Sequence, residues 1–443
     1  MLRRTLREAL EANRNFRLER MEVGGEARAR LVTATGLLDE AGRLAHLAGR
    51  RVVVSLGDDG EMVRRQIVLA LAGADVCLVQ PARLAELGPR LREEAGFGLL
   101  LADAGAEVPG LASVAPGDGG AGMGGRDAGE GRLFIYTSGT TGAPKLRQYT
   151  YGELLGQANV SRRLAGLGWG GFYPATQFAG LQVLMAALAH DAPLVLLGRR
   201  RPDDVAACLR SGAVGCATGT PTLWRQVAAL LERDGVGQAG AAVRQVTLGG
   251  EASTQPTLDQ LARLLPQARL THIYASTELG PVFSVSDGRA GFPRPWLGHA
   301  ALPPRFELEV REEELRARRR DQGADAPWQG TGDLVRVEED RVYFLGRSAS
   351  AINVGGAKAL PERIEAVIES VPGVVLVRVF AQPNPVTGNM VAAEIQAAAG
   401  VDPQALRTAI LAACRERLAA HELPRKLLMK DVGIVNDKRS RQS

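Results

Sequence analysis

The most chemically loaded stretch of the chain is Tyr136-Thr137-Ser138-Gly139-Thr140-Thr141-Gly142-Ala143-Pro144-Lys145, which follows the apolar run Leu133-Phe134-Ile135. Glycines let a tight loop turn its backbone N–H groups toward one ligand, the hydroxyl side chains add donors, and the lysine supplies a point cation. That set suits a polyphosphate. The loop of ordinary nucleotide hydrolases needs glycine, lysine and Ser/Thr contiguous at the start of a helix, whereas Ala143 and Pro144 separate Gly142 from Lys145 here. Pro144 would break that geometry. A Ser/Thr/Gly turn alone is an ordinary connection, so the rest of the chain must decide.

Downstream lie further groups that a nucleotide could use. Leu248 to Ala252 reads LGGEA at the end of an apolar run, and Ile273 to Gly280 reads IYASTELG. Asp333, in TGDLV, has two acceptor oxygens suited to the vicinal hydroxyls of a ribose, and Arg347 closes FLGR fourteen residues later. The tail holds Lys438 and Arg441 in NDKRSR. Singly each is ordinary, since an Asp after Thr-Gly is usually a turn residue and a terminal lysine a solvated tail.

Taken in order, these segments resemble the adenylate-forming superfamily: acyl- and aryl-CoA ligases, peptide-synthetase adenylation domains and luciferases. YTSGTTGAPK matches that family's phosphate-loop signature at nearly every position. The resemblance implies that Thr137, Ser138, Gly139, Thr140, Thr141, Gly142 and Lys145 hold phosphates, and that Gly249, Gly250 and Glu251 form a turn beside adenine. It implies Tyr274 as the adenine-stacking ring, Thr277 as a phosphate ligand, Glu278 as the carboxylate that holds Mg2+, and Asp333 with Arg347 as ribose contacts. Lys438 would be the mobile lysine that bridges carboxylate and α-phosphate during adenylation. The chain departs from the pattern at Ala275 and Asp437, where glycine is expected, and at Ala349, where many members carry Asp or Lys.

The acid and acceptor sides are implied less fully. YPATQFAGLQ, Tyr173 to Gln182, aligns with a segment that reads Pro-x-x-His-x-x-Gly in many relatives, which puts Gln177 at the histidine or aromatic position. Phe178, Gly180, Ala275 and Ser276 complete the acid-site candidates. In INVGGAKALPERIE, Gly355 and Gly356 would permit close approach of a thiol-bearing arm, with Lys358 where arginine is common. Read without the resemblance, that Gly-Gly is a tight strand connection.

Such groups need a scaffold. Short β-rich runs alternate with amphipathic stretches, as in RVVVSLG before MVRRQIVLALAGA and APLVLLG before PDDVAACLRSG, which predicts parallel sheets covered by helices. The opening residues alternate charged and apolar side chains like a surface helix. Pro116 to Gly131 holds eight glycines and reads as a flexible connection. The last hundred residues change to strand, helix, two strands, helix. The expected fold is α/β: a large multi-sheet amino-terminal domain over residues 1–346, and a small α+β domain over 347–443 that rotates about a hinge at Gly346-Arg347-Ser348-Ala349. The resemblance is weak before Gly131, which implies a shortened amino-terminal region.

Composition bounds the rest. In 443 residues, 54 basic against 49 acidic side chains give a net charge of +5, a mild excess that can help attract nucleotides but does not argue for nucleic acid. The basic run Arg316 to Gln322 lacks aromatics and predicts a solvated loop or helix face. Four scattered cysteines without metal-ligand spacing imply a reducing cytoplasm. Leu164 to Ala189 carries no charge, yet Pro174 and five glycines make it a buried strand, loop and helix instead of a membrane span. The expected activity is ATP-dependent activation of a small carboxylic acid as an acyl-adenylate, with release of pyrophosphate and transfer to a thiol, CoA being the first choice. ATP, Mg2+ and CoA are the expected cofactors. Transfer to a carrier protein or an amine is the near alternative, and a non-catalytic nucleotide-binding protein the alternative of another class. No carrier domain follows Lys438, so a stand-alone ligase is expected.

Overall fold

The computed structural model describes residues 5–21, 28–114, 129–137, 144–197, 200–276, 279–298, 305–323 and 326–430. The chain divides into two compact units, residues 1–218 with 236–246, and residues 219–235 with 247–443. Both are mixtures of helices and several sheets.

The first unit builds the parallel sheets that the alternating pattern predicts. One sheet runs in the order Ala112–Ser113, Leu99–Ala102, Arg51–Ser55, Asp75–Leu78, Leu133–Thr137, Lys145–Tyr149, all parallel except the last strand. Val52 and Val54 point into one core and Val53 into another, so both faces are covered, as a parallel sheet requires. The helix Asp59–Leu71 starts where the Asp58 carboxylate accepts from the Glu61 N–H at 2.9 Å, and ten of its thirteen residues are buried. The buried set includes Arg65, which is paired with Glu40 at 2.7 Å, so the helix lies deep in the core with its charge compensated. The second set of strands runs Cys216–Gly219, Trp169–Gly171, Leu194–Leu197, Arg17–Met21, Arg28–Thr33. One continuous core, including Leu18, Val52, Ile67, Ile135, Leu184 and Leu194, serves both sheets.

Two expectations are corrected here. The opening segment is helical only over Leu6–Ala12; Arg17–Met21 is a strand, parallel to Leu194–Leu197, with Leu18 and Met21 buried. Partner strands on both sides supply hydrogen bonds that a surface helix would have made internally, and tertiary pairing overrides the local pattern. The basic run is likewise corrected in part: Arg320–Gln322 is a short 3-10 turn, but Arg316 to Arg319 belong to the strand Glu314–Arg319, whose Leu315 and Ala317 are buried. Its arginines are neutralised in place, Arg318 Nε on Glu307 at 2.7 Å and Arg316 on Glu309 at 3.3 Å. Leu164 to Ala189 forms a short strand, a loop and the helix Phe178–Ala189, as expected. Among the described residues no helix is long and apolar enough to cross a membrane.

The second unit carries the antiparallel pair Arg269–Ser276 and Gly280–Val285, and a sheet in the order Phe292–Pro293, Arg341–Arg347, Gln329–Val337, Glu314–Arg319, Phe306–Arg311. Its carboxy-terminal part has the hairpin Ile352–Val354 and Ala357–Ala359, the helix Pro361–Glu369, strands Val374–Asn384 and Gly388–Ala397, the helix Pro403–Arg417, and a further strand Lys426–Lys430. Ile364, Ile368, Val377, Val379, Ile395 and Ile410 pack this part around a core of its own.

All four cysteines are buried free thiols. Burial pushes Cys216 up to about 12 and Cys414 up to about 11, so neither is a thiolate near neutral pH.

Candidate active site

Three of the expected ribose and adenine contacts meet in the second unit. The Tyr274 hydroxyl donates to Oδ2 of Asp333 at 2.6 Å, and Arg347 Nε donates to Oδ1 at 3.1 Å. Asp333 and Arg347 are brought face to face because they are register partners in adjacent antiparallel strands, with a bulge between Leu334 and Val335. Each carboxylate oxygen is thus engaged once and keeps acceptor capacity for a further donor. The turn before Asp333 is braced by side chains: Asp333 N–H donates to Thr331 Oγ1 at 3.2 Å, Thr331 Oγ1 donates to the Leu315 carbonyl at 2.6 Å, and Gly332 N–H donates to Glu314 Oε1 at 2.8 Å.

Tyr274 is held from its other side by aromatic rings. Its ring lies near-parallel to Phe283 and to Phe344, each centroid 5.0 Å away, at 23° and 25°. Offset stacks of this kind fix the ring's plane. Burial, then the Asp333 carboxylate, pushes its hydroxyl well above the ordinary phenol range, so it remains a donor. The strand shifts register between Tyr274 and Ala275, which re-aims the residues leading to Ser276. Thr277 and Glu278 lie outside the described residues.

The LGGEA turn sits at the end of the strand Gln245–Gly249. Gly250 adopts φ of +85°, a conformation natural to glycine. Glu251 points back to the helix Pro221–Asp234, where its Oε2 accepts from Thr222 N–H at 3.1 Å and from Thr222 Oγ1 at 2.6 Å.

In the first unit, Thr137 and Lys145 are register partners of the antiparallel strands Leu133–Thr137 and Lys145–Tyr149. Lysine therefore opens a strand, not a helix, in keeping with Pro144 just before it. Ser138, Gly139, Thr140, Thr141 and Gly142 lie outside the described residues. Gln177 is exposed and occupies the cap position of the helix Phe178–Ala189 without a capping hydrogen bond from its side chain. Phe178 packs on Tyr149, ring centroids 5.4 Å apart. Gly180 has a packing role: a Cβ there would come 2.2 Å from the Pro174 carbonyl oxygen, so the helix can approach that loop only without a side chain.

Gly355 and Gly356 form the two-residue turn of the hairpin Ile352–Val354 and Ala357–Ala359, at φ of +59° and +91°. Positive φ at both positions is what such a turn demands. Lys358 is exposed on the returning strand. Lys438 lies outside the described residues.

Sequence reasoning missed Thr222, Glu314 and Phe283, which position the candidates without belonging to a motif, and gave no role to Phe344 although it opens FLGR. For the first three, only the Thr220-Pro221 helix start was a usable signal, since Thr220 caps the helix and places Thr222 in its first turn. Two surface clefts among the described residues, one bordered by Arg17, Gly168, Ala213 and Arg244 and one by Arg294, Leu297, Val310 and Val337, contain none of the candidate residues.

Residues 53–324 match the model of the AMP-binding enzyme family, and residues 363–432 match that of the AMP-binding enzyme C-terminal domain. The chain is 28% identical over 346 residues to a 2-succinylbenzoate–CoA ligase of Geobacillus kaustophilus, covering 69% of this chain and 66% of that protein. It is 24% identical over 305 residues to the chloroplastic/peroxisomal 2-succinylbenzoate–CoA ligase of Arabidopsis thaliana, covering 59% and 54%. The chain thus spans just under two thirds of the length of the first of these curated relatives and less of the second. In fold it resembles ATP-bound MatB from Rhodopseudomonas palustris, with a TM-score of 0.71 at 19% identity over 99% of this chain and 98% of that one. It also resembles o-succinylbenzoate CoA synthetase from Bacillus subtilis in complex with the acyl-adenylate OSB-AMP, with a TM-score of 0.68 at 20% identity, covering 97% and 95%. The length of the family match, together with the ordered motifs, places the chain: it belongs to the AMP-binding enzyme family.

Proposed function

We propose that this chain activates a small carboxylic acid with ATP, forming an acyl-adenylate with release of pyrophosphate, and then passes the acyl group to the thiol of CoA. The observation that carries the reading is the Tyr274–Asp333–Arg347 arrangement, a carboxylate with both oxygens held and acceptor capacity left for a ribose diol. Its members stand in the order and spacing of a family of AMP-binding enzymes.

In this reading Asp333 and Arg347 fix the ribose, Tyr274 and the Gly249-Gly250-Glu251 turn lie beside adenine, and the Thr137 to Lys145 segment holds the phosphates that leave. The carboxylate oxygen of the acid attacks the α-phosphorus, the bond to the β-phosphate bridging oxygen breaks, and pyrophosphate departs. Negative charge gathers on phosphate oxygens in that step, so preorganised donors and cations lower its barrier. Lys438 bridges acid and α-phosphate. The thiol then adds to the acyl carbonyl and displaces AMP, with Gly355, Gly356 and Lys358 on the acceptor side. Gln177, Phe178, Ala275 and Ser276 border the acid. The boundary between residues 1–346 and 347–443 is the proposed hinge, where Gly346 has φ of +139°.

Mg2+ fits this chemistry as a partner of triphosphate oxygens and one carboxylate, for which Glu278 is the candidate; when bound it neutralises phosphate charge. Among the described residues no group of three or more His, Cys, Asp or Glu could hold a metal without the nucleotide. A site completed by substrate phosphates is the ordinary arrangement for this ion. The 2-succinylbenzoate–CoA ligase relatives make an aromatic dicarboxylic acid the first substrate to try.

The test is pyrophosphate release from ATP across a panel of fatty, aryl, succinylaryl and amino acids, followed by mass analysis of the product with CoA. Acid-dependent release with a thioester product is expected. Release without a thioester would move the acceptor to a carrier protein or an amine, and nucleotide binding without acid-dependent release would overturn catalysis.

A further inference from the structure

An ion pair joins the two segments matched by the amino- and carboxy-terminal family models. Arg225, on the helix Pro221–Asp234, pairs through Nη1 with Oε1 of Glu369, the last residue of the helix Pro361–Glu369. The side chains are 12% and 6% exposed, so the pair is nearly out of water. A carboxylate at a helix carboxy-terminus faces the negative end of the helix dipole, and burial penalises it again. Glu369 is tolerable there as an anion because the guanidinium stands opposite. Such a pair adds little net attraction, but an orientation that buries one partner without the other is strongly disfavoured. Its effect is to specify one docking of the small helix.

The same arginine also reaches the LGGEA turn. Arg225 Nη2 donates to Thr222 Oγ1 at 3.2 Å, and Thr222 passes on two donors, Oγ1 and N–H, to Oε2 of Glu251 at 2.6 and 3.1 Å. Glu251 directly follows the Gly249-Gly250 turn assigned to the adenine side. At its other end the small helix is tied to the hinge: Ser350 Oγ contacts both oxygens of Glu362 at 3.0 Å, and a Cβ on Gly346 would come 2.5 Å from Glu362 Oε2. The helix Pro361–Glu369 is thus fixed at its first turn against the hinge and at its last turn by Arg225.

We propose that Arg225 and Glu369 form a latch that couples the docking of the carboxy-terminal module to the nucleotide site through Thr222 and Glu251. The inference rests on the adenylate-forming reading above. Arg225, Thr222 and Glu369 are positioning residues: they touch neither acid nor phosphate, and they act by setting Glu251 when the module is docked and releasing it when the module turns. Linkage makes the effect reciprocal, so nucleotide tightens docking by the factor by which docking tightens nucleotide.

The test uses the full chain, AMP as the probe, calorimetry for affinity, and hydrogen exchange of the helix Pro361–Glu369 with and without AMP. In the unaltered protein AMP is expected to slow exchange in that helix. Glu369→Gln should weaken AMP binding by about fivefold, the lower end of ordinary coupling between sites, and abolish the AMP-dependent slowing. Thr222→Val keeps the ion pair but cuts the relay; it should weaken AMP binding similarly while leaving exchange of the AMP-free helix unchanged. Unaltered AMP affinity and unaltered AMP-dependent slowing in Glu369→Gln would overturn the latch. If that variant does not fold, the same result in Thr222→Val overturns it. An unaltered protein that binds no adenine nucleotide overturns the adenylate-forming reading itself, and the latch falls with it.

Discussion

Tyr274 and Asp333, fifty-nine residues apart in sequence, share a hydrogen bond of 2.6 Å that ties the strand Arg269–Ser276 to the strand Gln329–Val337. The phenol serves the carboxylate as much as any base stacked nearby. Tyr274→Phe keeps the ring and its two stacks and removes only this donor. The expected result is AMP affinity weakened roughly 5- to 20-fold, about 1–2 kcal/mol, with little change in thermal stability. Titration calorimetry with AMP checks it, and an unchanged dissociation constant would show that Arg347 alone orients Asp333.

The assignment of Lys438 separates the half-reactions. Lys438→Ala should slow adenylate formation by ~10²- to 10³-fold, as for loss of one preorganised donor, while conversion of a supplied acyl-adenylate to thioester stays close to the unaltered rate. Single-turnover assays of each half-reaction read the two effects. Equal loss in both would contradict the role.

Arg341 is a stability element at the far end of the strand that carries Arg347. It is 2% exposed and donates to Asp287 and to the carbonyls of Arg289, Ala290 and Gly291, at 2.7 to 3.2 Å. Arg341→Met leaves those acceptors without their donor and is expected to cost about 3–5 kcal/mol. Thermal or urea melting checks this, and a loss under about 1 kcal/mol would mean that water replaces the guanidinium.

His272 gives the fold a pH dependence near neutrality. Burial drives its pKa below 6.5; the hydrogen bond to the Arg289 carbonyl and the nearby Asp287 oppose that and lose. Between the depressed folded value and 6.5 the unfolded chain binds more protons, so stability is fully present above 6.5 and is lost as pH falls through the folded value. The melting temperature should fall from pH 7.5 to 5.5, and His272→Gln should flatten that slope. Equal slopes in the two proteins would refute the assignment.

How far the sequence reached depended on whether a feature was local. The turn before Asp333 and the double glycine at Gly355-Gly356 are written in consecutive residues, because glycine and hydroxyl side chains act on their own backbone. The covered parallel sheets were equally legible, since RVVVS and the helix after it declare their burial by period. Long-range pairing was not. Arg17–Met21 looks helical until its neighbours Leu194–Leu197 and Arg28–Thr33 are known, and the arginines of Glu314–Arg319 look like a solvated surface until Glu307 and Glu309 stand opposite. The packing reason for Gly180 is equally non-local, since the Pro174 carbonyl oxygen lies where a Cβ would stand. Nothing near Tyr274 announces Asp333.

The chain passes between the two compact units three times, after Thr218, Gly235 and Val246. During synthesis the first unit therefore stays incomplete until Gln245 and Val246 have emerged, by which time the helix Pro221–Asp234 of the second unit is already made and has no partner strands. That helix must wait, its apolar face unmet, for the helix Gln255–Leu264 and later the strand Val374–Asn384, which pack on it. A continuous fragment that ends before Gln255 should leave Trp224 and Leu231 without that helix to cover them, and a ribosome pause in this interval is where aggregation would begin.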